Sequence, residues 1–123
     1  MAQDLTSPYL DMWLDYEPEV YVERKNATTG VWEPAAGLTG CEFRIADDEQ
    51  GTAIGALTGI AATERSAAPG HYAGAIDLAV LTSELDEPTY PHGEEVFLQF
   101  WKAGDVQAES FRKQIRRTKY ASR

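Results

Sequence analysis

The chain has 123 residues, 43% of them apolar, and a net charge of -9, which predicts one soluble domain with a single core. No apolar run approaches the ~18 residues of a membrane span, and no basic-then-apolar leader opens the sequence, so we expect no membrane partner and synthesis in a cytoplasm. The single cysteine, Cys41, excludes an internal disulfide and a thiolate metal cluster within one chain.

Charge is unevenly distributed along the sequence. Residues 1–104 contain five Lys or Arg against eighteen Asp or Glu, whereas residues 105–123 contain six against two. The acidic part disfavours nucleic acid over most of the surface, so we expect no specific nucleic-acid partner. The basic C-terminal end either meets an acidic surface on a neighbouring copy or lies against the acidic part of its own chain, and the sequence leaves both open.

Residues 1–18 predict an N-terminal arm or a short helix. Ser7-Pro8 is typical of a helix start, and large apolar residues recur at helical spacing, which favours a helix from Pro8 to Tyr16. An extended arm is the alternative. In either case these side chains pack on this domain or dock on another chain. The residues concerned are Tyr9, Met12, Trp13 and Tyr16.

Two β elements follow. Residues 20–32 predict a hairpin, because Val-Tyr-Val and Val-Trp segments flank the turn-forming stretch 26–30. Residues 39–46 predict a half-buried strand. The inward face of this strand consists of Cys41, Phe43 and Ile45. The acidic run 47–51 lacks the ligand spacing of an EF-hand and therefore predicts a solvated turn.

The middle of the chain is organised around the Pro69-Gly70 turn. Residues 57–64 and 71–78 on either side of it predict an antiparallel pair. One face of the second strand consists of Tyr72, Gly74, Ile76 and Leu78. Residues 80–85 predict a single helical turn, and residues 86–93 predict a loop rich in proline and glycine.

Residues 95–102 predict the strongest strand of the chain. Both of its faces are partly apolar, so we expect a central strand, or a strand whose second face meets a neighbouring chain or the N-terminal segment. Residues 103–105 predict a hairpin turn into a last strand that begins at Val106. The apolar phase of that strand changes along its length, which favours a β-bulge or an exit from the sheet.

No set of catalytic or metal-binding residues is recognisable. The only histidines, His71 and His92, fall at the start of a predicted strand and in a predicted loop, and their spacing fits no zinc pattern. Nucleophile elbows, phosphate-binding loops and dinucleotide fingerprints are absent from the sequence. We therefore expect a protein that is not an enzyme and that uses no cofactor or metal ion.

The order of the strand motifs resembles the small immunoglobulin-like β-sandwich domains of tailed-phage virion proteins, which occur in neck, head-to-tail joining, baseplate and decoration components. The likeness extends over residues 19–117. The motifs that carry it are Val20-Tyr21-Val22, Gly40-Cys41-x-Phe43-x-Ile45, Gly70-x-Tyr72-x-Gly74-x-Ile76, Leu85, Val96-x-Leu98 and the Gly104-Asp105 hairpin.

The resemblance implies a single antiparallel immunoglobulin-like β-sandwich of about seven strands over residues 19–117. An arm or short helix over residues 1–18 and a basic tail over residues 118–123 flank this domain. It also implies a non-enzymatic neck or head-to-tail joining protein, made in the host cytoplasm and assembled in the virion as a homo-oligomer with other virion structural proteins.

In that assembly the termini reach onto neighbouring subunits. One neighbour is expected to meet Tyr9, Met12, Trp13 and Tyr16, and another to meet Arg112, Lys113, Arg116 and Arg117. The alternative is a carbohydrate-binding or host-adhesion module, in which Trp32 and Trp101 stack on sugar rings. The same two tryptophans suit a core or a protein interface equally well.

Overall fold

The computed structural model describes residues 2–102 and 109–117, which form ten strands and one short helix. The strands are β1 (Ala2–Asp4), β2 (Tyr9–Asp11), β3 (Glu19–Lys25), β4 (Trp32–Pro34), β5 (Glu42–Ala46), β6 (Ile60–Ala61), β7 (Thr63–Glu64), β8 (His71–Ala73), β9 (Glu95–Trp101) and β10 (Glu109–Arg116). The helix is α1 (Leu78–Glu84), between β8 and β9. The chain is therefore mostly β, as predicted.

The strands form two sheets that share one apolar core. The order is β1-β3-β8-β7 in the first sheet, with β4 paired to the C-terminal end of β3 as the predicted hairpin. In the second sheet the order is β2-β10-β9-β5-β6, and β2 runs parallel to β10. The predicted inward residues that are buried are Cys41, Phe43, Ile45, Tyr72 and Ile76.

Aromatic packing joins the two sheets at their centre. The ring of Tyr72 in the first sheet lies 6.1 Å from that of Phe100 in the second, and Phe100 lies 5.5 Å from Phe43. Gly74 follows β8, and a Cβ there would come within 2.8 Å of the Ala61 carbonyl oxygen. The close approach of the main chain at this position therefore requires glycine.

The N-terminal segment crosses from one sheet to the other. Strand β1 pairs with β3 in the first sheet, and β2 pairs with β10 in the second. We call residues 2–16 the strap. The helix predicted from Pro8 to Tyr16 does not form, and the extended alternative is correct. The Pro8 carbonyl accepts from the Gln114 N–H at 3.0 Å, and the Met12 N–H donates to the Arg116 carbonyl at 3.0 Å, so the main chain of the strap bonds to β10.

The predicted pairing of residues 57–64 with 71–78 is correct only next to the Pro69-Gly70 turn. Strand β7 pairs with β8, but β6 pairs with β5, so residues 57–64 change sheets instead of forming one strand. Small residues around Gly59 leave no apolar periodicity that would hold this stretch in one sheet. The second strand is also shorter than predicted: β8 ends at Ala73, and Leu78 begins α1.

Strand β9 is central, as predicted, between β10 and β5. The pairing between β9 and β10 is continuous from Glu109 to Gln114 of β10. The predicted hairpin turn at 103–105, the strand start at Val106 and the tail 118–123 lie outside the described residues.

The Pro69-Gly70 turn is tied to the rest of the first sheet by Glu64. The carboxylate of Glu64 accepts hydrogen bonds from the Gly70 N–H at 2.9 Å and from the Gly37 N–H at 3.0 Å. These two bonds lower the pKa of Glu64, because they favour its charged form.

We predict that Glu64→Gln lowers stability most at neutral pH. A carboxyl whose folded-state pKa is depressed contributes stability above its unfolded pKa, and this contribution is lost as the pH falls through the folded pKa. Urea unfolding of wild type and variant between pH 7 and pH 3 should therefore show a difference that shrinks towards acid pH. The control is Glu87→Gln in an exposed loop, where we expect no difference. A Glu64→Gln effect that stays constant over this range would contradict the role of the carboxylate.

Candidate functional site

The structure brings the two predicted groups of interface residues together. Because β2 is the neighbour of β10, Tyr9 lies opposite Gln114, and Asp11 lies opposite Arg116. The aromatic and basic residues, expected to meet different neighbours, thus border one edge of the second sheet.

Two of the four N-terminal residues that were predicted to contact a neighbouring subunit lie inside this domain instead. Met12 and Tyr16 are buried in the core, and the main chain of Tyr16 exchanges two hydrogen bonds with Ile76, at 2.9 and 2.8 Å. Burial raises the pKa of the Tyr16 hydroxyl. This hydroxyl lies close to Thr6, yet it makes no hydrogen bond of standard geometry with the described residues. Of the two alternatives for these side chains, packing on this domain therefore applies to Met12 and Tyr16.

Lys113 is fully buried beneath the strap, although its neighbours Arg112 and Gln114 are exposed. Its ammonium group donates to the Thr6 hydroxyl and the Ser7 carbonyl, each at 2.7 Å, and to the Asp4 carboxylate. An ammonium group has three N–H donors, so these three acceptors satisfy it.

Asp4 is in turn held in place by the strap. Its second carboxylate oxygen accepts from the main-chain N–H of Thr6 at 2.9 Å and from the Thr6 hydroxyl at 2.6 Å. Thr6 therefore donates to Asp4 and accepts from Lys113 through one hydroxyl. The cluster fastens the strap to β10.

Arg117 is also engaged within the chain. Its guanidinium donates to the carbonyl oxygens of Leu85 and Tyr90, each at 2.6 Å, and its main-chain N–H donates to His92 Nδ1 at 2.9 Å. These bonds hold the segment after α1 against the end of β10. Lys113 and Arg117, two of the basic residues expected to meet a neighbour, thus lie against their own chain.

Arg116 combines an ion pair with two aromatic contacts. Its guanidinium binds both Asp11 carboxylate oxygens, at 2.7 and 3.1 Å, which raises the pKa of Arg116. The same group lies 4.1 Å from the centre of the Tyr9 ring and 5.7 Å from that of Trp13. Both rings remain partly accessible, since Tyr9 is exposed and Trp13 is half-buried. The result is an ordered arginine–aromatic surface of the composition that protein interfaces favour.

Arg112, unlike the other basic residues of β10 that were predicted to contact a neighbour, is largely exposed to solvent. Its side chain is 68% exposed, and its Nε lies 3.5 Å from a carboxylate oxygen of Glu95, which is itself 53% exposed. Beside this loose pair lies a shallow pocket of about 260 Å³. The pocket is lined by Pro8, Tyr9, Glu95, Arg112 and Gln114.

We call this part of the molecule the strap-edge surface. It consists of Pro8, Tyr9, Asp11, Trp13, Glu95, Arg112, Gln114 and Arg116. Sequence reasoning missed Asp11 and Glu95, which become recognisable only when β2 and β9 are placed on either side of β10.

The two tryptophans considered for sugar binding do not form one platform. Trp32 lies in β4, which belongs to the first sheet, and the residue is 48% exposed. Trp101 lies in β9 of the second sheet, where the Arg44 guanidinium covers its ring at 4.4 Å. Each would have to act alone.

Among the described residues, neither histidine belongs to a group of possible metal ligands. His71 Nδ1 lies 3.1 Å from the Glu19 carboxylate, and its ring lies 4.9 Å from that of Tyr21. Within residues 2–102 and 109–117 no three His, Cys, Asp or Glu side chains converge on a possible metal position. The helix of the described residues has seven residues and is therefore not long enough to cross a membrane.

Comparison of the chain with protein-family models, curated proteins and solved structures finds no match. The features of the molecule that bear on its function are therefore its strand order and its strap-edge surface.

We predict that the Asp4 and Lys113 substitutions are strongly coupled. Asp4→Asn leaves a buried ammonium without its counter-ion and should lower the free energy of unfolding by about 3 kcal/mol. Lys113→Met removes the charge and keeps most of the side-chain volume, so the double variant Asp4→Asn/Lys113→Met should lose clearly less than the two single losses added together.

Urea unfolding of the four proteins measures this coupling, and Glu87→Gln, which removes one exposed carboxylate, is the control. Wild-type stability in Asp4→Asn would contradict the proposed anchoring of the strap.

Proposed function

We propose that this protein is a non-enzymatic structural component of a tailed-phage virion. In this proposal it belongs to the neck or head-to-tail joining region, where several copies contact one another and other virion proteins. The observation that carries the proposal is the strand order of the two sheets, which agrees with the fold implied by the sequence resemblance.

The fold that we infer is an immunoglobulin-like β-sandwich. In this interpretation β1, β3, β8 and β7 correspond to strands A, B, E and D, and β10, β9 and β5 correspond to G, F and C. These seven strands form the sandwich. Strand β6 lies beside β5, at the position where variable-type domains have a further strand in the same sheet. Strands β2 and β4 are short strands added to the seven of the sandwich.

The distribution of exposed apolar side chains supports a role in assembly. Tyr9, Leu14 and the half-buried Trp13 lie on the strap. A separate exposed pair, Val31 and Trp32, lies at the β3–β4 hairpin of the first sheet. Exposed aromatic and arginine residues are typical of interface hot spots, and two separate surfaces suit a protein placed between neighbours.

The hairpin is also rigid enough to serve as a contact. The Asn26 side-chain oxygen accepts from the main-chain N–H groups of Thr28 and Thr29, at 2.8 and 3.0 Å. The Asn26 N–H donates to the Val31 carbonyl at 2.8 Å, which closes the turn. Binding through such a preformed turn costs little additional conformational entropy.

We predict that Trp13→Ala removes the protein from purified phage particles and leaves its urea midpoint almost unchanged. The reason is that Trp13 is half-buried against Arg116 at the surface rather than in the core. Particles from cells producing wild type or variant would be probed by immunogold labelling, which should place the wild-type chain at the head–tail junction. Trp13→Phe keeps an aromatic ring and should retain incorporation.

Two results would contradict the proposal. Absence of the wild-type chain from tailed particles would remove the virion role. A large stability loss in Trp13→Ala would show that Trp13 belongs to the core, and the strap would lose its assigned part in assembly.

A further inference from the structure

The strap-edge surface is electrically balanced on a strongly acidic molecule. It contains two arginines, Arg112 and Arg116, and two carboxylates, Asp11 and Glu95. The chain as a whole carries a net charge of -9. The excess negative charge therefore lies elsewhere, and this surface itself is locally neutral.

Local neutrality restricts which partner the surface fits. A polyanion such as nucleic acid requires an excess of positive charge, which the surface lacks. Two copies of this chain repel each other over most approaches, because each is acidic. A face whose charges cancel avoids that repulsion, and a face whose charges alternate can attract its own copy.

Arg112 and Glu95 supply the alternation. They are joined loosely, at 3.5 Å, and both side chains are more than half exposed, so each retains hydrogen-bonding capacity for another molecule. In a two-fold contact the same patch is used by both copies, and residue pairs occur twice. Arg112 of one copy then faces Glu95 of the other, and Glu95 of the first faces Arg112 of the second.

Exposed ion pairs alone contribute little to the stability of a contact, so a stable contact also needs apolar area. Pro8 and Tyr9 supply it directly beside the pair, where they border the pocket of about 260 Å³. Arg116 holds the Tyr9 ring by stacking at 4.1 Å, which reduces the ordering cost of an exposed aromatic side chain.

We propose that two copies of the chain pair through the strap-edge surface about a two-fold axis, with Arg112 of each copy opposite Glu95 of the other. This inference rests on the proposed function, because it identifies the partner that the strap-edge surface binds during assembly: a second copy of the chain. The pairing gives the assembly a two-fold building unit, which leaves the β3–β4 hairpin free for a different neighbour.

The test uses two charge reversals on the full-length chain. Arg112→Glu places like charges opposite each other in the homodimer, and so does Glu95→Arg. Each variant alone should dimerise at least tenfold more weakly than wild type. An equimolar mixture of the two should restore the dimer as a heterodimer, because one copy then presents two carboxylates and the other presents two guanidinium groups.

Light scattering at low salt measures the mass, which for wild type should be twice the 13.6 kDa of one chain. The matched controls are Arg24→Glu and Glu33→Arg, which replace two residues that face each other across the β3–β4 hairpin. Arg24→Glu changes the net charge of the chain by the same amount as Arg112→Glu, and Glu33→Arg by the same amount as Glu95→Arg. Both controls should dimerise as wild type does.

A monomeric wild type, undiminished dimers in the Arg112 and Glu95 variants, or a mixture that stays monomeric would each overturn the pairing. A monomer leaves the virion role to be decided by particle labelling. Conversely, a dimer with the expected charge pattern stands even if labelling finds no chain on particles.

Discussion

The buried ammonium group of Lys113 is the constraint on which the rest of the structure depends. A charge removed from water must be matched by acceptors, and here the strap provides all three: Asp4, Thr6 and Ser7. The strap is thereby fixed across the edges of both sheets. Its position in turn brings Tyr9 and its neighbours beside β10, where main-chain bonds to Gln114 and Arg116 hold the same segment.

The basic residues of β10 divide between folding and recognition according to their exposure. Breaking a buried charge pair costs several kcal/mol, whereas an exposed pair contributes about 0–1 kcal/mol, so Lys113 acts on stability. Arg116 takes an intermediate position, since it binds Asp11 and also orders the rings of Tyr9 and Trp13. Arg112 is left exposed, and in our proposal it selects the partner. Among the described residues of the basic end, Lys113, Arg116 and Arg117 are therefore used within the chain.

Strands with a regular two-residue period were predictable from the sequence, and β5 and β9 are where expected. Residues 57–64 were not, because small side chains carry no periodicity to show that the chain changes sheets. The strap was left ambiguous by Ser7-Pro8, since a serine hydroxyl that caps a helix can equally accept the Tyr9 N–H in an extended segment. Lysine is normally exposed, so the sequence predicts an interface role for Lys113. Its side chain nevertheless points to the same face of the strand as those of Phe111 and Ile115. Its partner Asp4 lies 109 residues away, a distance that no local pattern spans.

Hydrogen exchange resolved by residue tests the central claim, that the strap is an integral part of both sheets. The Leu5 N–H bonds to the Glu19 carbonyl beside the first sheet, and the Met12 N–H bonds to the Arg116 carbonyl in the second. Our account predicts that both amides exchange nearly as slowly as the core amide of Ile45. Rapid exchange at Leu5 and Met12 beside a protected Ile45 would show a strap that detaches on its own, and would contradict the account.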